Sequence, residues 1–160
     1  MKIKIFTTGG SIDKLYSSQA SNFVIDAPQI RDILAEANVS VEYEIESLLK
    51  KDSLDMTHED RSYIFEKIRS DPADRILITH GTDTMIETAK TLQEITDKTI
   101  VFTGAFHPAA FKKTDAYFNV GAAFLAVQNL TPGIYIVING RAFEPSQAQK
   151  NAKADIFEVS

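Results

Sequence analysis

Cysteine is absent from all 160 residues, which excludes disulfides, thiolate metal sites and cysteine nucleophiles together. Tryptophan is missing too, and glycine (7) and proline (5) are sparse, so the chain is neither collagen-like nor a Pro/Gly-rich low-complexity segment. Positive charge is in short supply: 17 Lys and Arg against 22 Asp and Glu leave a net charge of -5. A nucleic-acid backbone needs clustered Lys and Arg, and here they are scattered among acids. No apolar run approaches the ~18 residues of a membrane span, and the opening MKIKIFTTGG is too short in apolar residues for a secretory leader. These absences lead to the expectation of a cytoplasmic protein with no nucleic-acid or membrane partner. What is present, 44% hydrophobic and 24% charged residues, is the composition of a globular domain. The length suits a single domain over 1–160 that buries roughly two-thirds of its unfolded surface.

Short β-branched and aromatic runs alternate with helical patterns. KIKIFTT (2–8), VEYEIESLL (41–49), RILITH (75–80), KTIVFTG (98–104) and GIYIVIN (133–139) read as strands, the middle ones apolar enough to be buried on both faces. Between them, Asp26 is the expected cap of a helix with Pro28 in its first turn and a stripe of Ile30, Ile33, Leu34 and Ala37. Thr57 is the expected cap of the next, with Glu59 and Asp60 at its positive end. A third helix is expected from Thr82 to Ile95, with Met85, Ala89 and Leu92 on one face, and a fourth over 115–130 carrying Tyr117, Gly121, Phe124 and Leu125. Alternation with short links implies the α/β class: a doubly wound, mostly parallel sheet with helices on both faces, Rossmann-like or flavodoxin-like. Residues 9–25 break the rhythm as a long polar stretch, read as a lid-like loop.

Open parallel sheets bind ligands beyond the carboxyl ends of their strands. Small and hydroxyl residues gather at three of those ends: Thr8, Gly9, Gly10 and Ser11; Asp52, Ser53 and Asp55; His80, Gly81, Thr82 and Asp83. TTGGSID fits neither the GxGxxG dinucleotide fingerprint nor a phosphate loop ending in GK[ST]. Its glycines either form a plain tight turn or let backbone N–H groups approach a ligand oxygen. The three histidines, His58, His80 and His107, match no zinc spacing, so no metal and no cofactor is expected. The string ITHGTDTMIETA (78–89) ends a buried strand, turns on Gly81 and opens a helix, where an acid by itself is commonly a cap.

Taken whole, that string resembles the bacterial-type L-asparaginases. Those enzymes carry TGGTI after their first strand and HGTDTMEET after a middle one; this chain has TGGSI and HGTDTMIET. SLDM (53–56) is similar to a family SQDM, FTGAFHP (102–108) to TGAMRP, and DAYFNVGAA (115–123) to a D-x-x-x-N helix start. VINGRAFEPSQAQKNAKADIF (137–157) resembles the segment with the family's catalytic lysine. The matches run in family order along nearly the whole chain.

The resemblance implies hydrolysis of a small side-chain amide, asparagine-like, to acid and ammonia. Ser11 stands at the family's first threonine, the usual nucleophile; Thr82, Asp83 and Lys150 match its hydrogen-bonded relay. The residue types suit that chemistry: a hydroxyl needs a neighbouring base, and desolvated lysines give up a proton more readily. Gly10 and Gly81 supply close backbone approach, and Ser53 and Asp55 are the candidates for holding the substrate's α-carboxylate side. Departures from the family pattern are also visible. Serine replaces threonine at 11, Leu54 replaces a substrate-contacting glutamine, and Phe23 aligns with the family's lid tyrosine, leaving Tyr16 as its candidate substitute. Family enzymes are about twice as long, with a second domain, so a homo-oligomer, dimer or larger, is expected to cover the faces that domain would cover. The competing reading is a non-catalytic relative that binds a small acidic amino acid or a protein partner.

Overall fold

A computed structural model describes residues 1–160 in full. The first strand, β1 (Lys2–Gly9), is buried at seven of its eight residues, because helices lie on both of its faces. Ile3 and Ile5 point to one face and Phe6 to the other, each without solvent exposure. Burial of such a side chain contributes about 1.5–3 kcal/mol. The chain then forms a hairpin, β2 (Lys14–Ser17) and β3 (Asn22–Ile25), and α1 (Ile30–Glu36). Next come β4 (Glu42–Lys51), α2 (His58–Ser70), β5 (Arg75–Thr79), α3 (Met85–Thr91), β6 (Thr99–Thr103) and α4 (Ala116–Asn129). The remainder is β7 (Gly133–Ile138), β8 (Arg141–Phe143) and a final hairpin of β9 (Ala148–Asn151) and β10 (Ile156–Val159).

The main sheet runs β4-β1-β5-β6-β7-β8; its first five strands are parallel and β8 pairs antiparallel to β7. Counting the parallel strands in chain order gives 2-1-3-4-5, the flavodoxin-like arrangement. α1 and α4 cover one face through Ile30, Ile33, Leu34, Ala116, Val120 and Val127. α2 and α3 cover the other through Ile64, Ile68, Met85, Ala89 and Leu92. The order reverses between β1 and β5, and the crevice above these two strands is where such sheets accept ligands. No helix is long and apolar enough to cross a membrane.

Local structure departs from the sequence-based expectation in four places. Residues 9–25 are not a loop: a 3-10 turn over Ser11–Asp13 leads into the β2–β3 hairpin, paired from Lys14↔Ile25 to Ser17↔Asn22. Asp26 does not cap α1, since its carboxylate takes the adjacent Ala27 N–H at 2.7 Å. Asp13, from the preceding turn, accepts the Gln29 N–H at 2.9 Å instead. The third helix starts at Met85 rather than Thr82, because Thr84 gives both its N–H and its hydroxyl to Ser53. On α4, Tyr117 and Leu125 face outward with Phe118, and the buried stripe is Ala116, Val120, Ala123, Phe124 and Val127. A helix apolar on nearly all sides does not reveal its inner face by periodicity. The Thr57 cap of α2 is as expected, completed by Asp60 into a reciprocal capping box.

Candidate active site

The crevice is built by two glycine turns pressed together. Gly10 has φ +87°, and a Cβ there would lie 2.6 Å from both Cα and N of Gly81. A Cβ on Gly81 would in turn meet Ser53 Oγ at 2.7 Å. Only glycine lets the ends of β1 and β5 and the turn after β4 converge this closely. Ser11 and Thr82 each follow their glycine by one residue, about 3.8 Å of chain, so the two hydroxyl residues flank one point of contact.

The turn carrying Ser11 is anchored on both sides of that residue. Gly10 N–H donates to Lys51 O at 3.0 Å, at the end of β4. Ile12 is fully buried, and its carbonyl accepts the Ala109 N–H at 3.1 Å. Asp13 is only 2% exposed. Burial pushes its carboxyl up to about 7, opposed by the Gln29 N–H bond and the Lys50 charge. Ser11 itself is half-buried at the crevice.

The turn after β5 meets a lysine 68 residues further along the chain. Lys150 Nζ donates to Thr82 Oγ1 at 2.9 Å and to Asp83 Oδ1 at 2.6 Å. The ammonium also stands 5.3 Å from the centre of the Phe106 ring, a cation–π contact. Thr82 is 7% exposed, while the Asp83 carboxylate keeps 44% of its side-chain surface open to solvent. The chain's own groups leave the Thr82 N–H without a hydrogen-bond partner, so it is a donor free for a ligand.

Lys150 reaches this spot because its hairpin is tied down at two points. Asn139, in a left-handed conformation at the end of β7 (φ 52°), accepts the Phe157 N–H at 2.8 Å and donates to Asp155 O at 3.2 Å. Asn119 of α4 accepts the Asn139 N–H at 3.1 Å and donates to Asp115. Asp115 in turn accepts the N–H groups of Phe106 and His107, fixing the loop whose ring underlies the ammonium. Asp115, Asn119 and Asn139 therefore hold both the lysine and its aromatic floor. Asn119 and Asn139 were visible in the sequence only as a helix position and a strand end. Their shared task depends on α4 packing beside β7.

Ser53 is 1% exposed, its Oγ accepting the Thr84 N–H at 3.3 Å beside Gly81. Asp52 caps the same turn through the Leu54 N–H at 3.0 Å and pairs with Lys14 of β2 at 3.3 Å, clamping the base of the hairpin to it. The Leu54 bond first, then the charges of Lys14 and Lys150, hold the Asp52 carboxyl below the usual range. Asp55 is exposed, and its carboxylate makes no hydrogen bond. Tyr16 is 63% exposed, edge-on to its cross-strand partner Phe23, and no hydrogen bond joins its hydroxyl to the chain. Phe23 packs on Phe111 in the same manner. The fold thus brings Gly10, Ser11, Ser53, Gly81, Thr82, Asp83 and Lys150 together, with Asp55 and Tyr16 at the outside. No group of three or more His, Asp and Glu side chains is arranged to hold a metal ion.

Known proteins with this architecture share its sequence order. A family model described as "Asparaginase, N-terminal" matches residues 2–158. L-asparaginase 2 of Escherichia coli K12 is 30% identical, the match covering 96% of this chain and 47% of that protein. Glutaminase-asparaginase of Pseudomonas aeruginosa is 29% identical, over 98% of this chain and 48% of its own. Among solved structures, the thermostable L-asparaginase from Thermococcus kodakarensis superposes with a TM-score of 0.85 at 25% identity, covering 99% of this chain and 51% of that one. The chain spans about half the length of each of these relatives.

Proposed function

Since the chain belongs to the asparaginase family, matching its N-terminal domain over residues 2–158, we propose that it hydrolyses a small side-chain amide, asparagine-like, to the acid and ammonia. One observation carries the reading: Lys150 bridges Thr82 Oγ1 and Asp83 Oδ1, one residue beyond the glycine contact that brings Ser11 alongside. A pure binding site has little use for an ammonium held on a hydroxyl and a carboxylate of one turn.

In this reading an oxygen nucleophile, the Ser11 hydroxyl or a water it orients, adds to the amide carbon. The proton it sheds passes by way of Thr82 and Lys150 to the departing nitrogen, which leaves as ammonia. Where Ser11 is acylated, a water then adds to the ester carbon, the Ser11 oxygen leaves and takes back a proton, and the acid is released. Asp83 holds the lysine and offers its open carboxylate to the substrate's α-ammonium. Thr82 N–H, unpartnered within the chain, donates to the oxygen on which negative charge develops. Ser53 faces the α-carboxylate side. Tyr16 belongs to the reading only if the hairpin tilts inward on binding.

Ammonia release from asparagine, glutamine and several acyl and peptide amides tests this directly, with wild type beside Ser11→Ala and Thr82→Val. Turnover of at least one amide, falling by ~10²-fold or more in each variant, is expected. Variants as active as wild type would remove Ser11 and Thr82 from the chemistry. Ligand binding by calorimetry with no turnover of any amide would establish the non-catalytic alternative.

A further inference from the structure

Beneath the Thr82 turn lies a histidine that none of these steps uses. His80 is fully buried; its Nδ1 is 2.8 Å from the carbonyl oxygen of Gly81 and its Nε2 2.8 Å from Thr88 Oγ1. The neighbours decide where the ring proton sits. A carbonyl can only accept, so Nδ1 carries the hydrogen and Nε2 accepts from the Thr88 hydroxyl. Thr88 Oγ1 accepts in turn from Arg61 Nε–H at 3.1 Å. Arg61 is itself 7% exposed, with its remaining nitrogens at Met56 O (3.2 Å) and near Glu87 (3.5 Å). Donation therefore runs one way, Arg61 to Thr88 to His80 to Gly81, ending on a single backbone carbonyl. Burial, with the Arg61 charge adding to it against the Gly81 bond, brings His80 down to about 4, so the ring stays neutral at neutral pH and holds one tautomer.

That carbonyl shares a peptide plane with the Thr82 N–H. The peptide is trans, so its C=O and N–H point in opposite directions. Tying the Gly81 oxygen to a buried ring turns the Thr82 N–H away from the interior, and this N–H has no partner in the chain. Without such a tie, glycine at 81 leaves the preceding torsions free to swivel the plane.

We infer that His80 is a positioning residue: its Nδ1–H bond to Gly81 O fixes the Gly81–Thr82 peptide so that the Thr82 N–H is presented to the carbonyl oxygen of the bound amide. The inference rests on the amidohydrolase reading for its purpose but not for its geometry. Thr88 and Arg61 act one and two steps further back, by holding the ring's other nitrogen in place. A histidine that merely fills space would not depend on which hydroxyl stands behind it.

The experiment has two arms. In the first, nitrogen NMR of histidine-labelled wild type without substrate is expected to show His80 protonated at Nδ1, with Nε2 accepting a hydrogen bond in wild type and in Thr88→Ser and losing it in Thr88→Val. In the second, kcat on the best amide substrate is expected to fall about 10- to 100-fold in Thr88→Val, with KM little changed, since misaiming one oxyanion donor costs the chemical step. Thr88→Ser should recover it. His80→Asn, whose amide nitrogen can replace Nδ1 as donor, should retain more activity than His80→Leu, all variants being checked for folding by circular dichroism. A ring protonated at Nε2, or equal kcat in folded Thr88→Val and Thr88→Ser, would overturn the inference. Wild type silent on every amide would sink the enzymatic reading, while the NMR arm would still decide whether the peptide is clamped as described.

Discussion

Two buried titrating groups make opposing demands on stability, and replacing either should tilt the pH profile in its own direction. Asp13 in the fold takes a proton more readily than the unfolded chain, its carboxyl standing at about 7 against an ordinary 3.8. The folded state is therefore favoured at acid pH, and this contribution is lost as pH rises from about 4 to about 7. His80 does the reverse. At about 4 against an ordinary 6.5, it resists protonation in the fold, so stability is lost as pH falls from about 6.5 to about 4. Integrated between pH 5 and 8, Asp13 costs about 2.5 kcal/mol as pH rises, and His80 returns about 2 kcal/mol. In wild type the two nearly cancel.

Asp13→Asn keeps an oxygen for the Gln29 N–H but removes the charge. Relative to the wild-type curve its stability is expected to climb by about 2.5 kcal/mol from pH 5 to pH 8, the lost Asp13 term. His80→Asn should fall by about 2 kcal/mol relative to wild type over the same range, the lost His80 term, which leaves the Asp13 term unopposed. Urea unfolding followed by circular dichroism at four pH values measures both, and exposed groups common to all three proteins drop out of the differences. An Asp13→Asn curve parallel to that of wild type would show that the Asp13 carboxyl does not titrate in this window, and the reasoning from its burial would be wrong.

Three further outcomes are expected. Lys150→Met should lower kcat on the preferred amide by ~10²-fold or more while shifting the melting temperature little, because the lysine's partners are hydroxyl and partly solvated carboxylate rather than core; retained turnover in a steady-state assay would remove it from the relay. Gly10→Ala should destabilise by about 3 kcal/mol or more, since a Cβ at φ +87° would lie 2.6 Å from the Gly81 backbone; an unchanged denaturation midpoint would contradict the glycine contact. Asn139→Ala removes the two bonds that tie down the last hairpin, at Asp155 O and Phe157 N–H, and should expose residues 151–155 to limited proteolysis as well as lower kcat, at a stability cost of about 1–3 kcal/mol.

Strand positions were legible because the central parallel strands are written as apolar runs and the edge strand β4 as an alternation, and all five expected ones formed within a residue or two of their predicted ends. Helix details were less so. The polarity of α4 is nearly uniform, so its inner face was decided by which side met β6 and β7. The carboxylate that fixes the entry to α1 came from Asp13, outside the local window, since the Ser11 turn brings it to the Gln29 amide. Residues 9–25 looked like loop because a short two-stranded hairpin pairs only with itself and needs no apolar alternation.

For the site, the residue types and their order along the chain were determined by sequence alone: glycine turns, hydroxyls and an acid at strand ends, and a lysine in the final segment. What only the tertiary structure decided is their convergence. Local spacing carries no information about a lysine and a threonine 68 residues apart; the 2-1-3-4-5 strand order sets β1 beside β5, and Asn139 and Asn119 swing the last hairpin over the crevice. The anchoring of His80 was likewise unreadable from its own neighbours in sequence, because its second ring nitrogen is held by Thr88 and Arg61, side chains on two helices that meet only when both pack against the same face of the sheet.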